Sequence, residues 1–419
     1  MSAPFHYEND RLLCEDVPAE VLVAEYGTPL YVYSRGALLE RYHEFVRAFA
    51  PLDPLVAFSV KANGNLSVLR LLARAGAGAD IVSGGELHRA RLAGVPGERV
   101  LFSGVGKTAR EMTAALEAGI FAFNVESAGE LDLLAELARA RGARAPVALR
   151  VNPDIESPTP HHYTRTGHRT TKFGIAYEDA RALYRRAAQS AGIAVRGIDV
   201  HIGSQIREPE PYARAMERIV ELVNELRADG IALDFVDAGG GFGVAYEDDE
   251  GPAAAQFAAV IRPLVEETGL RLVLEPGRYI AGPAGLLLAR VLYVKSSAGK
   301  TFVITDAGMN DLLRPSHYAS YHRVEPVQRH AGRAVRNVDV VGPICETGDF
   351  LALDRPLASP EPGELLAIGT VGAYGFAMAS TYNARPRPAE VMVEGAGHRL
   401  IRRRETMDDL VRGEIDLLE

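Results

Sequence analysis

Residues 56–86 read VAFSVKANGNLSVLRLLARAGAGADIVSGGE, and this stretch decides the fold. Val56–Val60 is a short apolar, β-rich run that ends on Lys61. Leu66–Arg74 carries apolar residues at three- and four-residue spacing, the signature of a helix packed on one face. Ala79–Val82 is a second β-like run and ends on Ser83-Gly-Gly-Glu86. Strand, helix, strand within about thirty residues is a βαβ unit, because parallel strands need a crossover and the crossover is usually a helix.

The same alternation continues on both sides. Further β-like runs are Val100–Phe102, Ile120–Val125, Val147–Val151, Gly197–Ile202, Phe235–Asp237 and Leu272–Leu274. Gly85–Ala93, Ala109–Ala118, Ser127–Arg141 and Pro211–Asp229 have the helical spacing, with Ser67 and Ser127 as candidate N-caps and Gly119 and Gly230 as stops. Eight strands suit a (β/α)8 TIM-type barrel better than a doubly wound open sheet. The polar residues also gather at the strand ends: Lys61, Ser83, Ser103, Glu126, Asn152, His201, the glycines after Ala238, and Glu275.

After about residue 285 the pattern changes. Leu286–Lys295, Thr301–Thr305, Ala334–Val341 and Glu364–Ile368 read as antiparallel strands between Gly, Pro and Asp turns. The expected organisation is a barrel over 35–285 and a β-rich domain over 286–419 plus 1–34.

Composition narrows the partners. The 419 residues carry a net charge of −9, and no basic stripe is interleaved with aromatics, which leaves no electrostatic case for nucleic acid or an anionic membrane. The longest apolar run, Ala281 to Val294, is broken by Gly, Pro and Arg and is too short to span a bilayer. Residues 1–10 lack the order of a secretory signal. Only Cys14 and Cys345 are present, so a disulfide scaffold is excluded and reduced, cytoplasmic thiols are expected.

Several residues could carry chemistry, each with a plainer alternative. Lys61 at the end of an apolar strand offers an amine for a Schiff base, or merely snorkels. Gly239-Gly240-Gly241-Phe242-Gly243 can point backbone N–H groups at phosphate, or form a bare turn. Gly104-Val-Gly-Lys107-Thr108 ends like a P-loop, but Leu101 stands where its leading glycine belongs, so nucleotide binding is rejected. Glu275-Pro276-Gly277-Arg278 pairs an acid that can keep a pyridine nitrogen protonated with a planar fork for phosphate or carboxylate; the alternative is a structural ion pair. His201 can stack on an aromatic cofactor and Ser204 can bond a phosphate, unless the histidine is simply buried and satisfied. Cys345, beside Glu346 and near Asp349, suits a proton donor better than a thiolate, or is a small apolar filler. His161, His162 and His168 match no zinc spacing, so no metal is expected.

Together these pieces resemble the barrel-type pyridoxal-phosphate decarboxylases, and within them the diaminopimelate branch. The segments are Phe58-Ser-Val-Lys61-Ala-Asn63, Asp80-Ile-Val-Ser-Gly-Gly-Glu86, Phe102-Ser-Gly-Val-Gly-Lys107-Thr108, Phe123-Asn-Val-Glu-Ser127 and Arg150-Val-Asn-Pro153. Lys172-Phe-Gly174, His201-Ile-Gly-Ser-Gln205, Glu275-Pro-Gly-Arg278, Asp311-Leu-Leu-Arg-Pro315, Cys345-Glu346 and Gly372-Ala-Tyr374 follow in family order. The departures are small: Thr347 stands where serine is common, and His161 to His168 differs from the usual loop.

The resemblance implies pyridoxal 5′-phosphate held covalently by Lys61, with His201 stacked on its ring and Glu275 on its nitrogen. Ser204, Gly240 and the Glu275, Pro276, Gly277, Arg278 stretch would line the ring and phosphate site. It implies Arg278, Arg314 and Tyr318 for substrate carboxylate, Glu346 for the distal amine and Tyr374 for cofactor and substrate together. Cys345 would protonate the carbanion. A homodimer sharing its sites is implied, with Cys345 and Glu346 crossing to the neighbour. The expected reaction takes meso-diaminopimelate to L-lysine and carbon dioxide. A relative acting on carboxynorspermidine, an ornithine- or arginine-type substrate or an acylated amino acid is the nearest rival; a racemase or a non-catalytic binding protein fits the Lys61, Cys345 and Glu346 set less well.

Overall fold

The computed structural model describes residues 4–155, 159–161, 166–167, 171–247 and 250–418, so His162 and His168 lie outside the described residues. The chain divides into two compact units. One runs from Arg41 to Val244 and from Gly251 to Tyr279, beginning and ending inside the expected 35–285. The other holds the residues up to Glu40, the short stretch Ala245–Glu250 and everything from Ile280 on.

The first unit is a closed parallel barrel. Its eight strands are Leu55–Ser59, Gly78–Ile81, Val100–Phe102, Ala122–Val125, Ala145–Asn152, Ile193–Asp199, Phe235–Asp237 and Arg271–Leu274. Each pairs in parallel with the next, and the last returns to the first through Val273 opposite Leu55. Closure rules out the open sheet. Ser127 caps Ala128–Arg139 by accepting the Glu130 N–H, as expected. Ser67 does not cap its helix: Asn65 does, its side-chain oxygen accepting the Ser67 N–H at 2.9 Å. Asparagine has the longer reach and precedes the first helical residue, where the cap belongs.

Along six of the eight strands the inward positions change character at a fixed step. Leu55, Ala57, Leu101, Ala122, Ala148, Phe235 and Val273 form one fully buried apolar cluster. Two residues further along each strand stand Ser59, Ser103, Asn124, Arg150, Asp237 and Glu275, all buried. Strand side chains repeat every second residue, so these polar groups occupy the same face one layer higher. The barrel therefore has an apolar floor and a polar upper layer.

The second unit contains more strands than the sequence suggested, and they are not all antiparallel. Gly285–Ser297 pairs antiparallel with Lys300–Thr305, Leu365–Ile368 and Leu30–Ser34. Lys300–Thr305 pairs in parallel with Val335–Val341, and Leu30–Ser34 in parallel with Ala389–Glu394. The expected all-antiparallel arrangement is corrected here: these partners lie far apart in sequence, so their connections are free to return in either sense. Phe350–Ala358 and Gly397–Arg402 are further strands of the unit. Of the opening residues, only Leu30–Ser34 enters this sheet; Phe5–Glu8, Arg11–Cys14 and Val17–Pro18 form a small sheet of their own. No helix among the described residues is long and apolar enough to cross a membrane.

Phe235 anchors the apolar floor and is 1% exposed. Phe235→Ala is expected to lower unfolding free energy by about 3–5 kcal/mol, measured as a shift in denaturant midpoint at unchanged slope.

Candidate active site

The polar layer of the barrel converges on Glu275, the first residue beyond its last strand. Its Oε1 accepts from Ser103 Oγ and Asn124 Nδ2, both at 3.2 Å. Asn124 Nδ2 also reaches Asp237 Oδ2 at 3.3 Å. Oxygens of Asp199, Asp237 and Glu275 lie within 4.8 Å of one another. Three buried carboxylates so close cannot all ionise. Burial first, and the neighbouring negative charge of Asp80 second, push Glu275 up to about 7. Burial and the charge of Glu275 raise both Asp199 and Asp237 well above the usual carboxylate range. Such spacing would admit a cation, but Asn124 already donates to two of the three and a proton suffices to relieve their crowding.

The compensating charges are Arg150 and Lys61. Arg150, buried, bonds Glu126 Oε1 through Nη1 at 3.0 Å and places Nε 4.0 Å from Asp199. Its Nη2, Asp199 Oδ1, Asp80 Oδ1 and Asn124 Oδ1 are buried without a hydrogen-bond partner. Lys61 sits in the turn Val60–Ala62 directly after the first strand. Its Nζ donates to Asp80 Oδ2 at 2.9 Å, and Ser59 Oγ donates to the same oxygen at 2.7 Å. Lys61 thus has a buried carboxylate beside it, which fixes where the amine points.

The glycine run lies beside His201. Gly239 and Gly241 adopt φ of +69° and +91°, which favours glycine. A Cβ on Gly240 would meet the Glu275 carbonyl oxygen at 2.1 Å. The Gly240 N–H donates to His201 Nδ1 at 3.1 Å, and Tyr212 OH donates to the Gly240 carbonyl at 2.8 Å. Accepting at Nδ1 leaves the imidazole hydrogen on Nε2. Burial, then Arg150 and Lys61, push the His201 pKa well down, so the ring is neutral. Arg278 Nη2 donates to Ser204 Oγ at 3.1 Å. Pro276 accepts the Ser59 N–H, and a Cβ on Gly277 would press on Ala62 and Ser59 at 2.9 Å. Lys61, His201, Ser204, Gly240, Glu275, Pro276, Gly277 and Arg278 thus come together at one end of the barrel.

These residues fit a phosphorylated, positively charged heteroaromatic group. The glycine run provides close backbone approach, Ser204 and Arg278 provide donors, and Glu275 provides a carboxylate for a ring N–H. Lys107, the apparent P-loop lysine, is consumed structurally by the carbonyls of Gly104 and Asn124 and by Glu130.

In the β-rich unit, Arg314 opens the short helix Arg314–Tyr318 and is buried. Its guanidinium lies 5.1 Å from the Tyr246 ring and 5.9 Å from that of Tyr318. Cys345 and Glu346 are exposed in the turn between Val335–Val341 and Phe350–Ala358. Exposure removes the reading of Cys345 as an apolar filler. Asp349 holds that turn by accepting the N–H groups of Ile344 and Met309, both at 2.6 Å. The Cys345 N–H donates to Asn383 Oδ1 at 2.8 Å. A hydrogen bond to Glu346 raises the Tyr382 phenol. Tyr374 is half-buried at φ +58°. Cys14 is buried in the apolar core of this unit.

Sequence reasoning gave no role to Asp80, Asn124, Arg150, Asp199 or Asp237. The available signal was the two-residue step from an apolar to a polar inward position on six of the eight strands.

Comparison with known proteins agrees with this chemistry. The family described as pyridoxal-dependent decarboxylase, pyridoxal binding domain, matches residues 35–282. Diaminopimelate decarboxylase of Neisseria meningitidis serogroup B is 49% identical over 97% of this chain and 98% of its own. That of Aquifex aeolicus is 46% identical over 98% and 97%. The crystal structure of diaminopimelate decarboxylase from Helicobacter pylori complexed with L-lysine superimposes with a TM-score of 0.92 at 40% identity, covering 95% of this chain and all of the other.

The raised Glu275 pKa gives a pH test on the cofactor-free protein. From the ordinary value of 4.5 up to about 7 the folded state keeps a proton that the unfolded chain has lost. Stability therefore falls as pH rises through that window. The thermal midpoint is expected to drop over this range, and Glu275→Gln to flatten the profile; an unchanged slope would contradict the buried acid.

Proposed function

The chain belongs to the pyridoxal-dependent decarboxylases, and we propose that it converts meso-diaminopimelate to L-lysine and carbon dioxide, the last step of lysine synthesis. The observation that carries this reading is the barrel layer in which Lys61, Asp80, His201, Gly240 and Glu275 meet around one buried acid cluster. When bound, pyridoxal phosphate supplies an electron sink for the pair left behind by departing carbon dioxide.

The protein's own residues then divide the work. Lys61 would hold the cofactor through its amine. Glu275 would keep the ring nitrogen protonated, and the neutral His201 would face the ring without adding charge. Ser204, Gly240, Pro276, Gly277 and Arg278 hold ring and phosphate. Arg278, Arg314 and Tyr318 bind substrate carboxylate, Glu346 takes the distal amine, and Tyr374 contacts cofactor and substrate. Cys345 donates the proton from Sγ to the substrate carbon after decarboxylation. The exposed turn bearing Cys345 and Glu346 supports a homodimer in which these two residues serve the neighbouring copy's site. We assign cofactor binding to a domain over 35–285, the remaining β-rich part to 286–419 plus 1–34, and the reaction to the cytoplasm.

Purified protein with pyridoxal phosphate is expected to release lysine and carbon dioxide from meso-diaminopimelate, but not from ornithine, arginine or carboxynorspermidine. Activity confined to one of the latter would move the chain to a related decarboxylase. Lys61→Ala should abolish both the visible absorbance of the bound cofactor and turnover. Cys345→Ala should keep the absorbance while losing about 10²–10⁴-fold in kcat, the usual contribution of a positioned acid.

A further inference from the structure

Cys345 carries its thiol on a side chain with one rotatable bond to Sγ, and staggering leaves three positions about that bond. Placing the backbone of this residue therefore nearly places its sulfur. Much of the turn around it is held from within. The Ile344 N–H donates to Asp349 Oδ2 at 2.6 Å, the Glu346 N–H to the Ile344 carbonyl at 2.8 Å and the Asp349 N–H to the Glu346 carbonyl at 3.1 Å. The Cys345 N–H instead leaves the turn. It donates to Asn383 Oδ1, 38 residues further along the chain, at 2.8 Å.

Asn383 suits that contact. It lies in the short turn Tyr382–Ala384 at φ +54° and ψ +30°, in the left-handed region that asparagine enters more readily than most side chains. Its neighbour Tyr382 bonds Glu346, so two adjacent residues of one turn grip two adjacent residues of the other. Both turns are also tied to one stretch of chain. The Met309 N–H donates to Asp349 Oδ1 at 2.6 Å, and the Asn310 carbonyl accepts the Ser380 N–H at 2.8 Å. The fit is close: a Cβ on Gly342 would meet both Asp349 carboxylate oxygens at 2.6 Å. The oxygen that holds Cys345 thus stands on a frame shared with the turn it holds.

We propose that Asn383 is a positioning residue: by fixing the Cys345 backbone it lets Sγ deliver its proton to one face of the substrate carbon. This rests on the proton-donor role given to Cys345 above. The step moves one proton from S–H to the carbon that has lost carbon dioxide, and leaves a thiolate that solvent reprotonates. That carbon is flat while its electron pair is delocalised, so it can take a proton on either face, from the thiol or from a water molecule. Which face is used is decided by where the donor stands. A donor held in advance also needs no ordering at the moment of transfer.

Two readouts on the holoenzyme separate position from stability. The chain has only two cysteines, so ¹⁵N-cysteine labelling gives two amide signals, and Cys14 in the apolar core is the internal reference. Turnover of meso-diaminopimelate in heavy water gives the second readout, and wild type should yield L-lysine deuterated in one configuration at the carbon that lost its carboxylate. Asn383→Gly suits the left-handed backbone but lacks the acceptor. It should speed solvent exchange of the Cys345 amide about tenfold while leaving Cys14 unchanged. It should also mix the configuration of the label and lower kcat about 10²-fold at unaltered KM. Asn383→Asp keeps the acceptor and should restore both the slow amide and the single configuration. Placed on Cys345→Ala, Asn383→Gly should cost nothing further. Unchanged exchange at Cys345 in Asn383→Gly, or a fast amide with one configuration still produced, would overturn the positioning role. Full turnover in Cys345→Ala would instead overturn the donor role of Cys345. If Asn383→Gly does not fold, Asn383→Ser, whose hydroxyl is one bond shorter, replaces it, and a single configuration at the wild-type rate would refute the proposal.

Discussion

The crowding of acids inside the barrel is the constraint from which the site follows. Asp80, Asp199, Asp237 and Glu275 are all buried, and burying a carboxylate is costly unless it is paired, hydrogen-bonded or protonated. The structure uses all three remedies. Lys61 and Ser59 serve Asp80; Asn124 and the Gly239 N–H serve Asp237; elevated proton affinity relieves Glu275. Each remedy also fixes something useful. The ion pair aims Lys61, and the Gly239 contact shapes the glycine run. The shared protons leave Glu275 poised for a group that brings a positive N–H of its own. The apolar floor one layer down keeps water from dissolving these arrangements.

That arrangement also explains why the neighbouring histidine stays neutral. His201 lies within the field of Arg150 and Lys61, and its Nδ1 is occupied by the Gly240 N–H. A charged imidazole would compete with Lys61 and Arg150 for the same acids. A neutral one offers a flat face and locks the glycine loop with a single hydrogen bond.

The barrel was legible because its signals are local. The strand runs, the three- and four-residue helical spacing and the Ser127 cap each sit within one element. The ends of Val100–Phe102 and Phe235–Asp237 could even be read to the residue. The polar layer was harder, because Asp80, Asn124 and Arg150 stand inside strands, where a polar residue is ordinarily taken for an outward one. Only closure of the sheet turns those positions toward a shared axis. The β-rich unit was read least completely for the same reason. Phe350–Ala358 contains Asp354, Arg355 and Pro356, which break an apolar alternation, and its partner strand is chosen by non-local packing. Among site residues, Lys61, Glu275 and Cys345 were visible as strand-end or turn residues.

Two buried arginines show how one side chain is put to different ends. Arg150 is bonded to the Glu126 carboxylate, which also accepts the N–H groups of Gly104 and Gly174. Its charge is spent on holding three loops and offsetting Asp199. Arg314 donates to the His322 imidazole and the Ser320 hydroxyl, contacts that orient the guanidinium. Removing Glu126 should therefore leave Arg150 with only the more distant Asp199 to offset it, and chiefly cost stability.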